Sequence, residues 1–246
     1  MSEIVYGRNA VMELMKTRPD EIEKVYFQFN TSDKKITELL LTAKRNGLSI
    51  GKANGQRLSE IAQSANHQGV CAIVGQLKYF DLEDLLEAPR GEKFFFLILD
   101  SLEDPQNVGA IIRTAEAAGV DAVIIPKDNF APINATVHKT SAGALSHIRL
   151  CRVVNLAQTF EALKKKNIWI ISTDTDAGKS YTNFDYTMNC AIVIGSEGSG
   201  VRRLLKERCD ELVQIPILGK SESLNASVAA GVMLYEVVRQ RSLSKV

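Results

Sequence analysis

The chain has 246 residues and a mass of 27.1 kDa, which exceeds an average domain but fits a single large one. Hydrophobic residues make up 45% and charged residues 24%, which excludes a wholly disordered chain and predicts a well-buried core. Because 30 basic and 29 acidic residues leave a net charge of +1, any binding of nucleic acid must depend on a local basic patch.

The first third of the chain predicts a small α/β unit. Asn9 and Ser32 each precede an amphipathic pattern and are predicted to cap the first two helices, and Gly47 ends the second. The further elements predicted here are a strand at 24–29, a short helix around 58–65 and a strand at 69–75.

A break separates this unit from the remainder. Residues 81–87 predict one or two helical turns, and residues 88–93 combine proline, glycine and charge, as linkers do. We therefore expect domains at 1–76 and 94–246 joined by a linker at 77–93.

Apolar strands recur along the second domain, with amphipathic helices between most of them. The predicted strands are 94–99, 122–125, 168–172, 191–194 and 212–215. The predicted helices are 108–118, 156–166 and 226–240. Such alternation indicates an α/β fold with a parallel sheet covered on both faces. Ligands bind beyond the carboxyl ends of the strands in such sheets, so the segments that follow the strands carry the functional prediction.

Cysteine and histidine positions argue against a metal centre. The four cysteines include no C-x-x-C pair, and the three histidines form no H-E-x-x-H pattern. Sparse, irregularly spaced cysteines are typical of a reducing cytoplasm. The N-terminus shows no secretory signal, and no apolar run approaches the roughly 20 residues of a membrane span. We expect a cytoplasmic protein without a metal.

Asn107 and Arg113 stand out in the segment that follows the first strand of the second domain. Asn107 is a good candidate for a helix N-cap. Arg113 interrupts an apolar helix face and therefore needs a partner. A salt bridge and a phosphate contact are equally consistent with an arginine in this position.

A glycine-rich loop at 195–200 follows the fourth strand. Its pattern is G-x-x-G-x-G rather than the G-x-G-x-x-G of dinucleotide-binding folds, and Glu197 would repel a pyrophosphate. We therefore expect the backbone of this loop to lie close to a ligand but not to bind a phosphate group. After the fifth strand, Ser223 and Asn225 are both candidates to cap the last helix, among several crowded polar side chains.

Two further features have ordinary explanations. The tail of a Walker A pattern ends at Ser180, but Thr173 stands where the first glycine is required, so we expect Lys179 to be a solvated loop lysine. A basic cluster follows the glycine-rich loop at positions 202, 203, 206 and 208. It is either a solvated face or a contact to a phosphate backbone.

The strand-end segments together resemble the three motifs of the SpoU family of RNA ribose 2′-O-methyltransferases, within the SPOUT superfamily. The segments are 104–113, 194–201 and 215–231, and their order and spacing match over 94–240. Segments 6–11 and 67–70 are similar to the L30e-like substrate-binding domain of many members. The combination looks most like the bacterial enzymes that methylate a guanosine of 23S rRNA, although Arg8 stands where those relatives often have histidine.

This resemblance implies S-adenosylmethionine as cofactor, RNA as partner (23S rRNA or a ribosome precursor), a homodimer and a deep trefoil knot. The catalytic and RNA-facing set that it implies is Asn107, Arg113, Glu197, Ser223 and Asn225. The cofactor-binding set that it implies is Thr173, Gly195, Ile215, Gly219 and Leu224. The family proposal makes Arg113 the base, but a guanidinium keeps its proton in proteins, so we favour a phosphate contact for it.

Other functions stay open at this point. The same chemistry could act on tRNA, or the chain could be a non-catalytic RNA-binding protein of ribosome assembly that kept the fold. A third hypothesis is an α/β enzyme that uses a nucleotide and is unrelated to RNA, but the incomplete Walker A motif argues against it.

Overall fold

A computed structural model describes residues 3–17, 19–29, 33–75, 77, 79–87 and 89–243. The described residues divide into two compact units. One holds the chain up to residue 77 together with 132–139, and the other holds 79–131 and 140–243. None of the helices within these ranges has the length and apolar character that crossing a bilayer requires.

The first unit is a four-stranded sheet with helices packed on it. Its strands are β1 (Glu3–Tyr6), β2 (Ile22–Gln28), β3 (Ile50–Ala53) and β4 (Val70–Val74). Its first helices are α1 (Arg8–Thr17), α2 (Lys34–Arg45) and α3 (Gly55–Ala62). The strand order is β1-β4-β2-β3, with β4 antiparallel to both neighbours and β2 parallel to β3. Apolar faces of α1 and α2 pack with the sheet in one core.

Sequence reasoning missed the two edge strands of this sheet and misplaced a cap. Strands β1 and β3 have four residues each, too few for a clear alternation of polar and apolar side chains. Helix α1 begins at Arg8, so Asn9 lies inside it rather than capping it. Ser32 lies outside the described residues, and Asp33 is the N-cap of α2, with its Oδ1 accepting from the Lys35 N–H at 2.9 Å.

The second unit is a six-stranded sheet in which every pairing is parallel, as predicted. Its strands are β5 (Phe95–Leu99), β6 (Ala122–Pro126), β7 (Leu150–Val153), β8 (Trp169–Thr173), β9 (Cys190–Ile194) and β10 (Glu211–Val213), in the order β10-β8-β9-β5-β6-β7. Its helices are α4 (Leu82–Leu85), α5 (Pro105–Ala117), α7 (Leu156–Lys165), α8 (Arg203–Lys206) and α9 (Ala226–Leu243). Helix α6 (Ala135–Thr140) lies almost entirely in the segment 132–139, which belongs to the first unit.

The central strands of the sheet and the first turn of α5 position the residues of the site. Strands β5, β6 and β9 are buried along their whole length, which explains their uninterrupted apolar sequences. Asn107 is not the N-cap of α5, because Pro105 starts the helix and Asp104 caps it by accepting from the Gln106 N–H at 2.9 Å. Asn107 therefore lies in the first turn of α5. The trefoil knot remains a prediction.

Candidate active site

A cavity of about 550 Å³ lies at the carboxyl ends of β8 and β9 and beside the segment that follows β10. This volume is in the range of small-ligand sites, and the position is the one expected for a parallel sheet. Its lining residues are Thr173, Asp174, Thr175, Ile194, Gly195, Ser196, Glu197, Gly198, Ser199, Gly200, Lys206, Ile215, Ile217, Glu222, Ser223, Leu224, Ala226 and Ala229.

The glycine-rich loop closes on itself as one wall of the cavity. The N–H of Ser196 donates to the carbonyl of Gly200 at 3.1 Å, and the N–H of Gly200 donates back at 2.8 Å. A Cβ at position 195 would overlap the backbone of Gly200 and Val201. Gly195 is therefore required for the chain to pass this close to itself, and Gly200, at φ +64°, for the turn.

A buried carboxylate anchors the end of this loop to the sheet. Asp100, which directly follows β5, is fully buried and accepts from the backbone N–H of Arg202 at 2.9 Å. The Arg202 guanidinium donates to the same carboxylate through Nε at 2.9 Å and Nη2 at 2.7 Å. This paired charge fixes the exit of the loop, because breaking it would leave a buried carboxylate without its cation.

Three predicted site residues form one hydrogen-bonded cluster beside the cavity. Asn107 Nδ2 donates to Glu197 Oε1 at 2.9 Å, and Asn225 Nδ2 donates to the same oxygen through a short contact. The N–H of Ala226 approaches that oxygen at 3.3 Å, and Asn225 Nδ2 also donates to Asn107 Oδ1 at 3.0 Å. The three side chains therefore hold one another in fixed orientations.

Asn225 also caps the last helix, one of the two possibilities that the sequence left open. Its Oδ1 accepts from the backbone N–H of Ser227 at 2.9 Å and of Val228 at 3.4 Å. The amide is thus fixed at both ends, since its oxygen holds the start of α9 and its nitrogen holds Glu197. Ser223 lines the cavity and is exposed.

The remaining predicted residues fall into two groups. Thr173, Gly195, Ile215 and Leu224 all line the cavity. Gly219 is exposed and is not among the lining residues, so the structure does not bring it to the cavity with them.

Arg113 stands apart from the cluster on the same helix as Asn107. It is exposed on α5 six residues, or about 9 Å along the axis, beyond Asn107. Within the described ranges its side chain makes no ion pair or hydrogen bond. Its position leaves the guanidinium available to an external anion.

Sequence reasoning missed an ion pair in the cavity wall. Lys206 Nζ lies 2.6 Å from Asp174 Oδ2, and both residues line the cavity. Burial alone would raise the pKa of Asp174, but the hydrogen bond from Lys206 and the N–H of Asp176 hold it below its ordinary value. Position 174 directly follows a strand, which is the signal that could have identified it.

Lys179 and the basic cluster at positions 202, 203, 206 and 208 are paired within the chain. The expectation that Lys179 is a solvated lysine is wrong, because it lies 2.8 Å from Glu211 and over the ring of Phe184. The ion pairs of the basic cluster are Arg202–Asp100, Arg203–Glu207, Lys206–Asp174 and Arg208–Glu161. Because these four side chains already bind carboxylates of the same chain, they are less available to bind an RNA phosphate.

The charges around the cavity favour a cationic ligand. Three carboxylates line it, from Asp174, Glu197 and Glu222, against one lysine at position 206. A pyrophosphate would be repelled by this set, whereas a sulfonium would be attracted. Within the described part of the chain no cluster of side chains is suited to hold a metal ion.

Comparison with known proteins identifies two matching families and several full-length relatives. The SpoU rRNA Methylase family matches residues 95–235, and the family described as RNA 2′-O ribose methyltransferase substrate binding matches residues 4–80. The 23S rRNA (guanosine-2′-O-)-methyltransferase RlmB of Escherichia coli (strain K12) is 43% identical, covering 98% of this chain and 100% of that protein. The putative TrmH family tRNA/rRNA methyltransferase YacO of Bacillus subtilis is also 43% identical, covering 98% and 96%.

A solved structure adds a cofactor complex. The SpoU methyltransferase AviRb from Streptomyces viridochromogenes, in complex with the cofactor AdoMet (S-adenosylmethionine), superimposes with a TM-score of 0.66. It is 26% identical, and the match covers 98% of this chain and 91% of that one.

Proposed function

Because the chain belongs to the SpoU rRNA methylase family, we propose that it transfers a methyl group from S-adenosylmethionine to the ribose 2′-hydroxyl of a guanosine in 23S rRNA. The observation that carries this proposal is that three distant segments meet at Glu197, which lines the cavity. Asn107, Glu197 and Asn225 come from the three motifs and are joined by hydrogen bonds at its edge.

The cavity fits the proposed cofactor in size and charge. S-adenosylmethionine supplies a methyl group bound to a sulfonium, and it carries an adenosine but no phosphate. Thr173, Gly195, Ile215 and Leu224 line the cavity and would hold it, and the closed glycine-rich loop would let the ligand approach the main chain. The carboxylates of the lining favour the sulfonium. Gly219 is a weaker member of this proposed set, since it lies outside the lining.

On the RNA side, Arg113 would bind the phosphate beside the target ribose. Its guanidinium is exposed and has no carboxylate partner in the described part of the chain, so an RNA phosphate would meet a cation that is still unpaired. Ser223, exposed at the cavity, would contact the ribose or the RNA backbone. Positioning of the hydroxyl next to the methyl donor would supply much of the acceleration.

The first domain, residues 1–76, is the proposed site of RNA selection. Its two segments that resemble the L30e-like domain meet in the structure, because Arg8 donates from its backbone N–H to Gln68 Oε1 at 3.1 Å and from Nε to the Gln68 carbonyl at 3.0 Å. The family match over residues 4–80 supports this assignment. Residues 77–93 would then link it to the methyltransferase domain at 94–246.

We also propose a homodimer that works in the cytoplasm, where a bacterial ribosome precursor would be found. Val228 and Tyr235 lie seven residues apart on α9, and each is 51% exposed. Residues at this spacing share one face of a helix, so α9 offers an apolar strip for a second copy.

The direct test is transfer of tritiated methyl groups from S-adenosylmethionine to unmodified large-subunit rRNA. The wild-type protein should label a guanosine ribose, and Arg113→Ala should lose most of the transfer while binding the cofactor normally. Label appearing only in tRNA would favour the tRNA alternative, since the name of the B. subtilis relative includes tRNA as well as rRNA. RNA binding without cofactor binding or any transfer would favour a non-catalytic assembly protein.

A further inference from the structure

We propose that the carboxylate of Glu197 accepts the proton of the ribose 2′-hydroxyl, through its Oε2 oxygen. The inference rests on the proposed methyl transfer and assigns its proton-transfer step. It follows from an asymmetry in how the protein holds this side chain.

The donors that the described residues offer to Glu197 all reach the same one of its two oxygens. Oε1 accepts from Asn107 Nδ2, from Asn225 Nδ2 and from the N–H of Ala226. Within the described residues, Oε2 accepts no hydrogen bond. A carboxylate has lone pairs on both oxygens, so this arrangement fixes the group through one oxygen and leaves the other able to accept a proton.

The supporting amides are themselves fixed, so the free oxygen has a defined position. Asn225 Oδ1 caps α9, and Asn225 Nδ2 also reaches Asn107 Oδ1 at 3.0 Å. Glu197 lines the cavity, which places it in the wall of the proposed cofactor site. A proton acceptor must be held within hydrogen-bond reach of the hydroxyl that it deprotonates, and this network holds the carboxylate in the cavity wall.

Other ionisable lining groups are less suited to the step. Asp174 is already paired with Lys206 at 2.6 Å. Glu222 is exposed, and none of the described residues fixes its carboxylate by a hydrogen bond. Arg113 bears a guanidinium, which cannot give up its proton in a protein and so cannot accept another.

A carboxylate is a sufficient base because the hydroxyl becomes strongly acidic as it is alkylated. The proton of O2′ passes to Oε2 while O2′ forms its bond to the methyl carbon, and the electron pair of the breaking carbon–sulfur bond stays on sulfur. The products are a 2′-methoxy ribose, a neutral thioether and a carboxylic acid. Glu197 is exposed, so that acid can release its proton to water.

The test uses Glu197→Gln, which keeps the oxygen that accepts the three hydrogen bonds and replaces Oε2 with an NH₂ group. The single-turnover rate of methyl transfer should fall by about 100-fold or more, the range for loss of a general base. Calorimetry should give a dissociation constant for S-adenosylhomocysteine within about threefold of wild type, because its sulfur is neutral. Loss of one of the three lining carboxylates should weaken binding of S-adenosylmethionine by less than about tenfold, so the transfer rate is measured at saturating cofactor. The matched control is Glu207→Gln, which neutralises an exposed carboxylate outside the cavity and should change none of the three quantities.

Several outcomes would overturn this assignment. Weaker binding of S-adenosylmethionine alone, with a wild-type transfer rate at saturating cofactor, would make Glu197 only a counter-ion of the sulfonium, because the homocysteine compound has a neutral sulfur. Equal weakening of both ligands would make it a structural residue. A transfer rate within threefold of wild type would exclude it as the base. If wild-type protein transfers no methyl group to any RNA, the proposed function itself fails, and the binding data separate that case from these three.

Discussion

Replacing Arg202 with alanine should destabilise the protein by detaching the glycine-rich loop from the sheet. The substitution removes two side-chain hydrogen bonds, at 2.9 and 2.7 Å, from the fully buried carboxylate of Asp100. The backbone N–H of residue 202, at 2.9 Å from the same carboxylate, is unaffected. The carboxylate therefore keeps two donors, this N–H and the Ser101 hydroxyl at 3.2 Å, but loses its only charged partner among the described residues.

The expected loss of folding free energy lies between the loss for a buried ion pair and the loss for a surface ion pair. Removing one partner of a fully buried pair costs roughly 3–5 kcal/mol. The side chain of Arg202 is 49% exposed, so water can reach part of the gap and lower the penalty. We therefore expect Arg202→Ala to lower the free energy of unfolding by about 2 kcal/mol, which is the value for hydrogen bonds to a charged group. For a domain of this size it corresponds to a fall in melting temperature of roughly 4–8 °C.

Arg203 is the matched control for this measurement. It is the next residue in the chain, and its side chain is 93% exposed and paired with Glu207 on the same short helix. Arg203→Ala should cost no more than about 0.5 kcal/mol, as exposed pairs do. Urea unfolding of both variants measures the difference directly. Equal destabilisation by the two substitutions would show that the buried carboxylate does not anchor the loop.

Three further predictions concern the cavity wall and the four cysteine thiols. Gly195→Ala should prevent loop closure and abolish cofactor binding, whereas Gly198→Ala, whose added methyl meets no atom within 4 Å, should leave the melting temperature nearly unchanged. Because the pKa of Asp174 is lowered in the folded state, its pairing stabilises the protein above about pH 4. The stability difference between wild type and Asp174→Asn should therefore shrink as the pH falls below 4, and a difference independent of pH would contradict this. Native protein at pH 8 should react slowly with a thiol reagent and unfolded protein rapidly, because burial raises the pKa to about 11 for Cys71 and Cys190 and to about 12 for Cys151 and Cys209.

The parallel sheet was predictable because its central strands are buried on both faces. Five-residue strands such as 95–99 and 190–194 contain no charged residue. Several such strands that alternate with helices along the chain indicate a parallel sheet with helices on both faces. Strand β7 escaped prediction because it lies at the sheet edge, where Arg152 is exposed and interrupts the apolar pattern. The N-cap of α5 was misplaced because Asp104 and Asn107 are both good caps, and Pro105 decides between them.

The site was predictable as a set of residues but not as an arrangement. Asn107, Glu197 and Asn225 were each identified within their own segment. The hydrogen bonds that join them connect positions 90 and 118 residues apart, and such contacts depend on how three strand ends come together in the folded sheet. The pairs Asp100–Arg202 and Asp174–Lys206 had no local signal for the same reason, since neither carboxylate has a nearby partner in the sequence.

The distribution of charge separates two tasks that the proposed reaction must perform. Carboxylates line the cavity, where a cationic methyl donor would be attracted and a proton could be taken up. The guanidinium of Arg113, which has no partner among the described residues, is exposed on α5, where it can bind a phosphate without neutralising those carboxylates. Had Arg113 been paired with Glu197, each group would have been unavailable for its task. The amides of Asn107 and Asn225 hold Glu197 without charge and so preserve the negative charge that the transfer requires.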